Sequence, residues 1–272
     1  MSSWLGEASA EAQKAERILS IGGSVTEIVY ALGEEHRLVA RDTTSTHPPD
    51  AQSLPDVGYM RSLSPEGVLS VAPDLIVAED GAGPPETIAL LNAASIPFVT
   101  VPDRYSAEGV EAKIRAVGAA LGVSDKADDL ANMVGTELAA AADAADRPGA
   151  TRKRVLFVLS AQGGRVMASG TDTAAAAIIE LAGGVNAVTD FEGYKPMSDE
   201  AVIAAAPDVV LMMDRGGDHG IGADELFALP AMVATPAART RTLIRMDGLR
   251  LLGFGPRAPE AVTALSEALH GN

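Results

Sequence analysis

The residues best equipped for chemistry lie in Val57-Gly58-Tyr59-Met60-Arg61, where a phenol stands two positions from a guanidinium. A phenol with a pKa of about 10 is a poor metal ligand until a cation stabilises its phenolate. Once ionised, it suits a hard ferric centre. Arg61 is near enough in sequence to supply that cation, and Arg215, following a later strand-like run, is a second candidate. An aromatic plug beside an exposed arginine explains the same residues equally well.

A second set of candidates comes from self-comparison. A shift of 134 positions (198 − 64) overlays Ser64 on Ser198, Glu66 on Glu200, Val68 on Val202, Leu69 on Ile203, and Ala72-Pro73-Asp74 on Ala206-Pro207-Asp208. The runs Leu75-Ile-Val-Ala and Val209-Val-Leu-Met follow in both copies. A helix-turn-strand junction occurring twice in an α/β protein is the simplest account. Two similar α/β halves explain more of the matching positions. Near a helix start, each glutamate complements the helix dipole, worth about 0.3–1 kcal/mol. Their duplication fits equally well with two matched acidic knobs for a two-fold basic partner.

These residues need a scaffold, and its elements are readable. Arg17-Ile-Leu-Ser-Ile reads as a buried strand entering Gly22-Gly23, with Ser24 and Thr26 as caps of a helix carrying Ile28, Val29 and Leu32. Leu38-Val-Ala is a second strand, and the Pro-rich stretch Asp42–Pro55 is a long loop. Helical spacing over Glu66–Val71 and Glu86–Ala94 alternates with the apolar runs after Asp74 and at Phe98-Val-Thr-Val. That alternation predicts a parallel α/β sheet. Ala107–Leu121 and Ser124–Asp146 are helical and free of internal proline; then Arg154-Val-Leu-Phe-Val-Leu restarts the pattern. Gly170 and Thr171 are expected to open the next helix, closed by Gly183-Gly184. The predicted fold is α/β, with two lobes, each holding a central mostly parallel sheet flanked by helices, joined by one long inter-lobe helix. The expected boundaries are an N-terminal extension over 1–16, an N-terminal lobe over 17–122, the connecting helix over 123–147 and a C-terminal lobe over 148–272.

Composition excludes several functions. With 21 Lys+Arg against 37 Asp+Glu, the net charge of −16 repels nucleic acid and anionic lipid, and no basic run makes a local patch. The absence of cysteine excludes thiolate catalysis, Cys-ligated metal and disulfides. No Gly-x-Ser-x-Gly is present, and His36, His47, His219 and His270 lack metal-ligand spacing. Gly22-Gly23-Ser24 has neither the dinucleotide glycine pattern nor the phosphate-loop lysine. Asp214, Asp218 and His219, around Gly216-Gly217, fit a solvated loop at least as well as a metal site. No apolar run approaches the roughly 20 residues of a membrane span. The polar, Ala-rich start lacks an export-signal pattern, so the chain is either cytoplasmic or a mature form whose signal was removed.

Taken together, Ile18-Leu-Ser-Ile-Gly-Gly-Ser-Val-Thr-Glu, Arg41-Asp-Thr-Thr-Ser, Leu54-Pro-Asp-Val-Gly-Tyr-Met-Arg-Ser-Leu-Ser-Pro-Glu-Gly, Gly193-Tyr-Lys-Pro-Met-Ser and Met212-Met-Asp-Arg-Gly resemble the haem-binding branch of the periplasmic binding proteins. This is the rigid-helix class that also includes cobalamin and siderophore carriers. The resemblance implies a non-enzymatic carrier that holds ferric haem b in the inter-lobe cleft through Tyr59 as axial ligand. It implies Arg215, and with it Arg61, at the phenolate or propionates, and Tyr194 and Lys195 bordering the propionates. Ser24 and Thr26 are expected on the cleft floor. Glu66 and Glu200 are expected to dock on arginines of an ABC permease dimer, with an outer-membrane haem uptake system as a candidate upstream donor. A periplasmic location with the export signal removed follows from the same resemblance. His47, where relatives often carry an aromatic residue, reads first as a surface histidine, otherwise as a second haem contact or alternative ligand. With no histidine near Val166-Met167-Ala168, one five-coordinate haem is expected rather than a stacked pair. The competing readings are cobalamin or an iron–siderophore on the same scaffold, a transporter-independent haem chaperone, and a cytoplasmic α/β enzyme.

Overall fold

The computed structural model describes residues 15–149, 151–214 and 221–271. The chain divides into two units: the first runs to Thr136 and is completed by Gly253–Pro256, and the second comprises Glu137–Leu252 and the chain from Arg257 onward. Among the described residues, no helix is long and apolar enough to cross a membrane.

In the first unit, the apolar run Ile18–Ile21 forms β1 and is buried throughout, as a strand covered on both faces must be. It is followed by α1 (Gly23–Ala31), β2 (Leu38–Arg41), α2 (Pro65–Ser70), β3 (Leu75–Glu79), α3 (Pro85–Ala93), β4 (Phe98–Val101) and α4 (Ala107–Leu121). The four strands make one parallel sheet in the order β2-β1-β3-β4. The expected loop after β2 is present, with a 3-10 turn at Pro49–Ser53. Helix α5 (Ser124–Ala145) is 22 residues long, about 33 Å at 1.5 Å per residue. The boundary between the units falls within it, after Thr136.

The second unit contains β5 (Arg154–Ser160), β6 (Val166–Ser169), α6 (Ala174–Leu181), β7 (Val185–Asn186), β8 (Tyr194–Met197), α7 (Asp199–Ala205), β9 (Val209–Asp214), α8 (Ala223–Ala228), α9 (Pro230–Val233), α10 (Pro236–Thr240), β10 (Leu243–Asp247), α11 (Gly248–Leu252) and α12 (Ala258–His270). Its sheet runs β10-β9-β5-β6-β8, with β7 also paired to β5. The pairs β10–β9, β9–β5 and β5–β7 are parallel, whereas β5–β6 and β6–β8 are antiparallel. Helix α6 starts later than the sequence predicts, because Thr173, not Thr171, caps it by accepting from the Ala176 N–H at 3.0 Å. Thr171 instead bridges to Glu192.

The repeated segment has the same local geometry in both units. Ser64 accepts from the Gly67 N–H at 3.0 Å, and Ser198 from the Ala201 N–H at 3.2 Å. Each helix ends at an alanine of positive φ, 45° at Ala72 and 44° at Ala206, a conformation that costs an L-residue roughly 1–2 kcal/mol. An arginine holds each turn in place. Arg17 donates its Nε to the Ala72 carbonyl at 2.8 Å and its backbone N–H to Asp74 at 2.9 Å. Arg154 does the same to the Ala205 carbonyl at 3.0 Å and to Asp208 at 2.9 Å. Arg17 immediately precedes β1 and Arg154 opens β5, at a shift of 137 (154 − 17), so the likeness reaches beyond the contiguous segment.

An ionic cluster fastens Gly253–Pro256 into the first unit. Lys113, fully buried on α4, donates to Asp103 at 2.7 Å, to Ser24 Oγ at 3.1 Å and to the Gly253 carbonyl at 3.0 Å. Glu79 lies 3.7 Å from its Nζ and accepts from Ser24 Oγ. The buried Phe254 ring packs against Tyr105 at 5.3 Å. Burial pushes the Glu79 carboxyl above its ordinary range, opposed by the Lys113 charge. Lys113→Ala is therefore expected to lower stability by about 3–5 kcal/mol, the range for removing one partner of a buried pair. A group with a raised folded pKa stabilises at low pH and loses that contribution as pH rises through the folded value. The loss, read by urea unfolding, is thus expected to be smaller near about pH 5 than near about pH 8.

Candidate functional site

Tyr59 lies on the loop between β2 and α2, and the backbone on both sides of it is pinned. Val57 N–H donates to the Arg41 carbonyl at 3.0 Å, and Thr43 N–H to the Gly58 carbonyl at 3.0 Å. Beyond the tyrosine, Gly83 N–H donates to the Met60 carbonyl and Leu63 N–H to the Gly83 carbonyl, both at 2.9 Å. Val57, Met60 and Leu63 sit in the core of the first unit, yet the Tyr59 side chain is 47% exposed. Gly58 makes the turn between these environments at φ 100°. Asp56, which accepts from Gly58 N–H at 2.8 Å and pairs with Arg41 at 2.7 Å, holds that turn. Among the described residues, the Tyr59 hydroxyl has no hydrogen-bond partner. The result is a phenol presented outward from a rigid base, the pre-organisation that a ligating group needs.

Arg61 is exposed on the same loop and makes no ion pair among the described residues. Arg215, the other expected cation, lies outside the described residues, as do Asp218 and His219. Asp214 ends β9 and is exposed. His47 is half-buried in the loop after β2. Among the described residues, no group of three or more His, Asp or Glu side chains could hold a metal ion.

Tyr194 and Lys195 are neighbours on β8, where successive side chains point to opposite faces. The Tyr194 ring meets the buried Phe157 edge-on at 6.2 Å. Lys195 is exposed, its ammonium 5.5 Å from the centre of the Phe191 ring. A single ligand face can therefore receive only one of the two side chains directly.

One expectation for α1 fails. Ser24 and Thr26 do not cap the helix: both are buried, Ser24 bound to Glu79 and Lys113, and Thr26 to Ser20 at 2.7 Å and Ser45 at 2.6 Å. The helix start is capped from the next strand's loop instead. The buried Asp42 carboxylate accepts from Gly22 N–H at 3.0 Å, and Thr44 Oγ1 from Gly23 N–H at 2.9 Å. Gly22 is required there, because a Cβ would lie 2.7 Å from Glu79 Cβ and its φ is 107°. With its own carboxylate on these N–H groups, this helix end is closed to a phosphate.

Glu66 and Glu200 are exposed at matching positions in the first turns of α2 and α7. The backbone N–H of Glu200 and the Ser198 hydroxyl hold its carboxyl below the usual range. Glu200 accordingly stays charged to lower pH than a free glutamate. Sequence reasoning missed Lys113, Asp42 and the two arginines, Arg17 and Arg154. Only the arginines left a signal, their matching places before Ile-Leu and Val-Leu.

A family model described as periplasmic binding protein matches residues 18–248. The periplasmic haem-binding protein BhuT, solved in complex with two haems, is 45% identical at a TM-score of 0.86, the match covering 93% of this chain and 98% of BhuT. The periplasmic haem-binding protein RhuT from Roseiflexus sp. RS-1, solved in apo form, is 41% identical at a TM-score of 0.89, covering 94% and 98%. An uncharacterized ABC transporter substrate-binding lipoprotein, YvrC of Bacillus subtilis (strain 168), is 27% identical over 257 residues, 94% of this chain and 80% of YvrC. A vitamin B12-binding protein of Pectobacterium carotovorum subsp. carotovorum (strain PC1) is 25% identical over 252 residues, 92% of this chain and 90% of that protein. The matched region takes in both sheets and the Tyr59 loop, and the chain, a transport protein and not an enzyme, belongs to the periplasmic binding protein family.

Proposed function

We propose that this chain captures ferric haem b through the Tyr59 phenolate, outside the cytoplasmic membrane, and delivers it to the permease of an ABC importer. The observation that carries this reading is the outward phenol on a pinned loop, unpartnered among the described residues, in a chain 45% identical to a haem-binding protein. A phenolate favours ferric over ferrous iron. The chain's charge of −16 opposes the haem propionates, so capture needs local cations. Arg61, two residues from Tyr59, is proposed to supply one, and Lys195 is the proposed direct propionate partner on β8, with Tyr194, on the strand's other face, proposed to back the site indirectly. Arg215 is a further proposed contact on sequence grounds. Glu66 and Glu200 are proposed to engage basic residues of the permease, one from each unit, and an outer-membrane haem uptake system is the proposed source of cargo. Cobalamin is the second reading, kept by the similarity to a vitamin B12-binding protein.

Adding ferric haem to the apo-protein is expected to give a high-spin tyrosinate-type visible spectrum, and Tyr59→Ala is expected to abolish it. The titration end-point separates one haem per chain from the two carried by BhuT. A wild-type spectrum that stays that of free haem, together with saturable cobalamin binding, would move the assignment to cobalamin.

Charge reversal at both Glu66→Lys and Glu200→Lys is expected to stop haem-dependent growth of cells relying on this importer, while the purified variant keeps the wild-type haem spectrum. Unchanged uptake would instead support a haem chaperone that works without the transporter.

A further inference from the structure

Among the described residues, five large apolar side chains besides Tyr59 are exposed, and four of them, all but Met133, fall two to each unit. Leu69 on α2 is 42% exposed and Ile203 on α7 is 39% exposed, and they are separated by the repeat shift, 203 − 69 = 134. Each follows its unit's docking glutamate by three residues, so Glu66 with Leu69, and Glu200 with Ile203, share one face of their helices. The opposite face of each helix is already used, by the buried Val68 and Val202. A second apolar residue lies on the helix packed alongside: Leu90 on α3 beside α2, at 58%, and Val233 on α9 beside α7, at 61%. The intervening residues are small, Gly67 and Ser70 in one unit and Ala201 and Ala204 in the other, so nothing bulky covers the pairs. One exposed leucine needs no explanation. An exposed aliphatic residue three positions after the same glutamate in both units, each with a second on the helix packed alongside, does.

We propose that Leu69 with Leu90, and Ile203 with Val233, are the apolar anchors of the surface that docks on the permease. The inference rests on the docking role proposed for Glu66 and Glu200. The partner it requires is a protein surface that offers a basic residue beside an apolar socket, and offers it twice. The two carboxylates and the charge of −16 turn anionic lipid away, and a second copy of this chain would bring like charge against like. Exposed charge pairs chiefly set the rate and register of encounter, whereas desolvated apolar anchors chiefly set how long a complex lasts. The division of labour is therefore carboxylate for steering and aliphatic side chain for retention.

The test measures binding of the haem-loaded protein to its cognate permease–ATPase complex, reconstituted in nanodiscs of zwitterionic lipid. The Leu69→Asn/Ile203→Asn and Leu90→Asn/Val233→Asn variants are compared with Glu66→Gln/Glu200→Gln. All six positions are exposed, and an unchanged melting curve and haem spectrum confirm that each variant is folded. The apolar variants are expected to dissociate about tenfold faster or more, with association rates within about twofold of wild type. The glutamine variant is expected to associate more slowly and to lose its salt dependence. Apolar variants that dissociate like wild type, with the glutamine variant impaired, overturn this inference and leave the docking reading standing. If all three variants bind like wild type, the docking reading fails, and this inference with it. Wild-type binding to empty anionic vesicles, or self-association, that the apolar substitutions remove would assign the pairs to lipid or to a second copy and also overturn the proposal.

Discussion

A parallel strand that follows a short helix must satisfy the carbonyls the helix leaves behind and the backbone of a neighbouring strand's start. In both units one arginine–aspartate arrangement meets that demand. Asp74 and Asp208 accept from the backbone of Arg17 and Arg154, and the guanidinium of each arginine returns to the carbonyls at the end of α2 or α7. The left-handed alanine at each turn is sterically unfavourable and survives because this clamp over-determines it. Once the turn is fixed, the direction of the helix is fixed, and with it the carboxylate in its first turn. In the first unit the same helix also bounds the loop that presents Tyr59.

The proposed chemistry follows from a contrast between rigid backbone and free side chain. Four backbone hydrogen bonds and three buried apolar residues hold the Tyr59 loop, while the phenol itself is exposed and, among the described residues, unpartnered. The helix end at Gly22-Gly23, which could have offered N–H groups to an anion, is instead closed by Asp42 and Thr44. The buried polar groups around Lys113 serve the fold. They tie Gly253–Pro256 to α4 and to the loop after β4. The buried charges of this cluster thus hold segments distant in sequence, and the groups proposed for the cargo are exposed ones.

Legibility in the sequence followed the range of the interactions. The repeat was readable because its signals are local: a serine cap, a glutamate two residues on, and Ala-Pro-Asp before an apolar run. The arginines that complete it were not recognised, since they lie 57 and 54 residues from the aspartates they serve. By position alone Ser24 and Thr26 read as caps, but Glu79, 55 residues away, and Ser45, 19 away, claim their hydroxyls. The antiparallel extension by β6 and β8 gave little warning, because each strand has four residues and β8 contains Pro196. Leu69 and Ile203 match in the repeat, yet apolar residues on a short helix are expected to face inward, and only burial shows that these do not. Tyr59 was legible through its motif, while its exposure against a pinned backbone was not.

The central claim is that the phenolate of Tyr59 is what binds the cargo iron. A crystal structure of the chain grown with ferric haem, with the iron located by its anomalous scattering, tests it most directly. The account predicts iron at bonding distance from Tyr59 Oη. Ordered haem whose iron is held by another side chain, with Tyr59 turned to solvent, would contradict it.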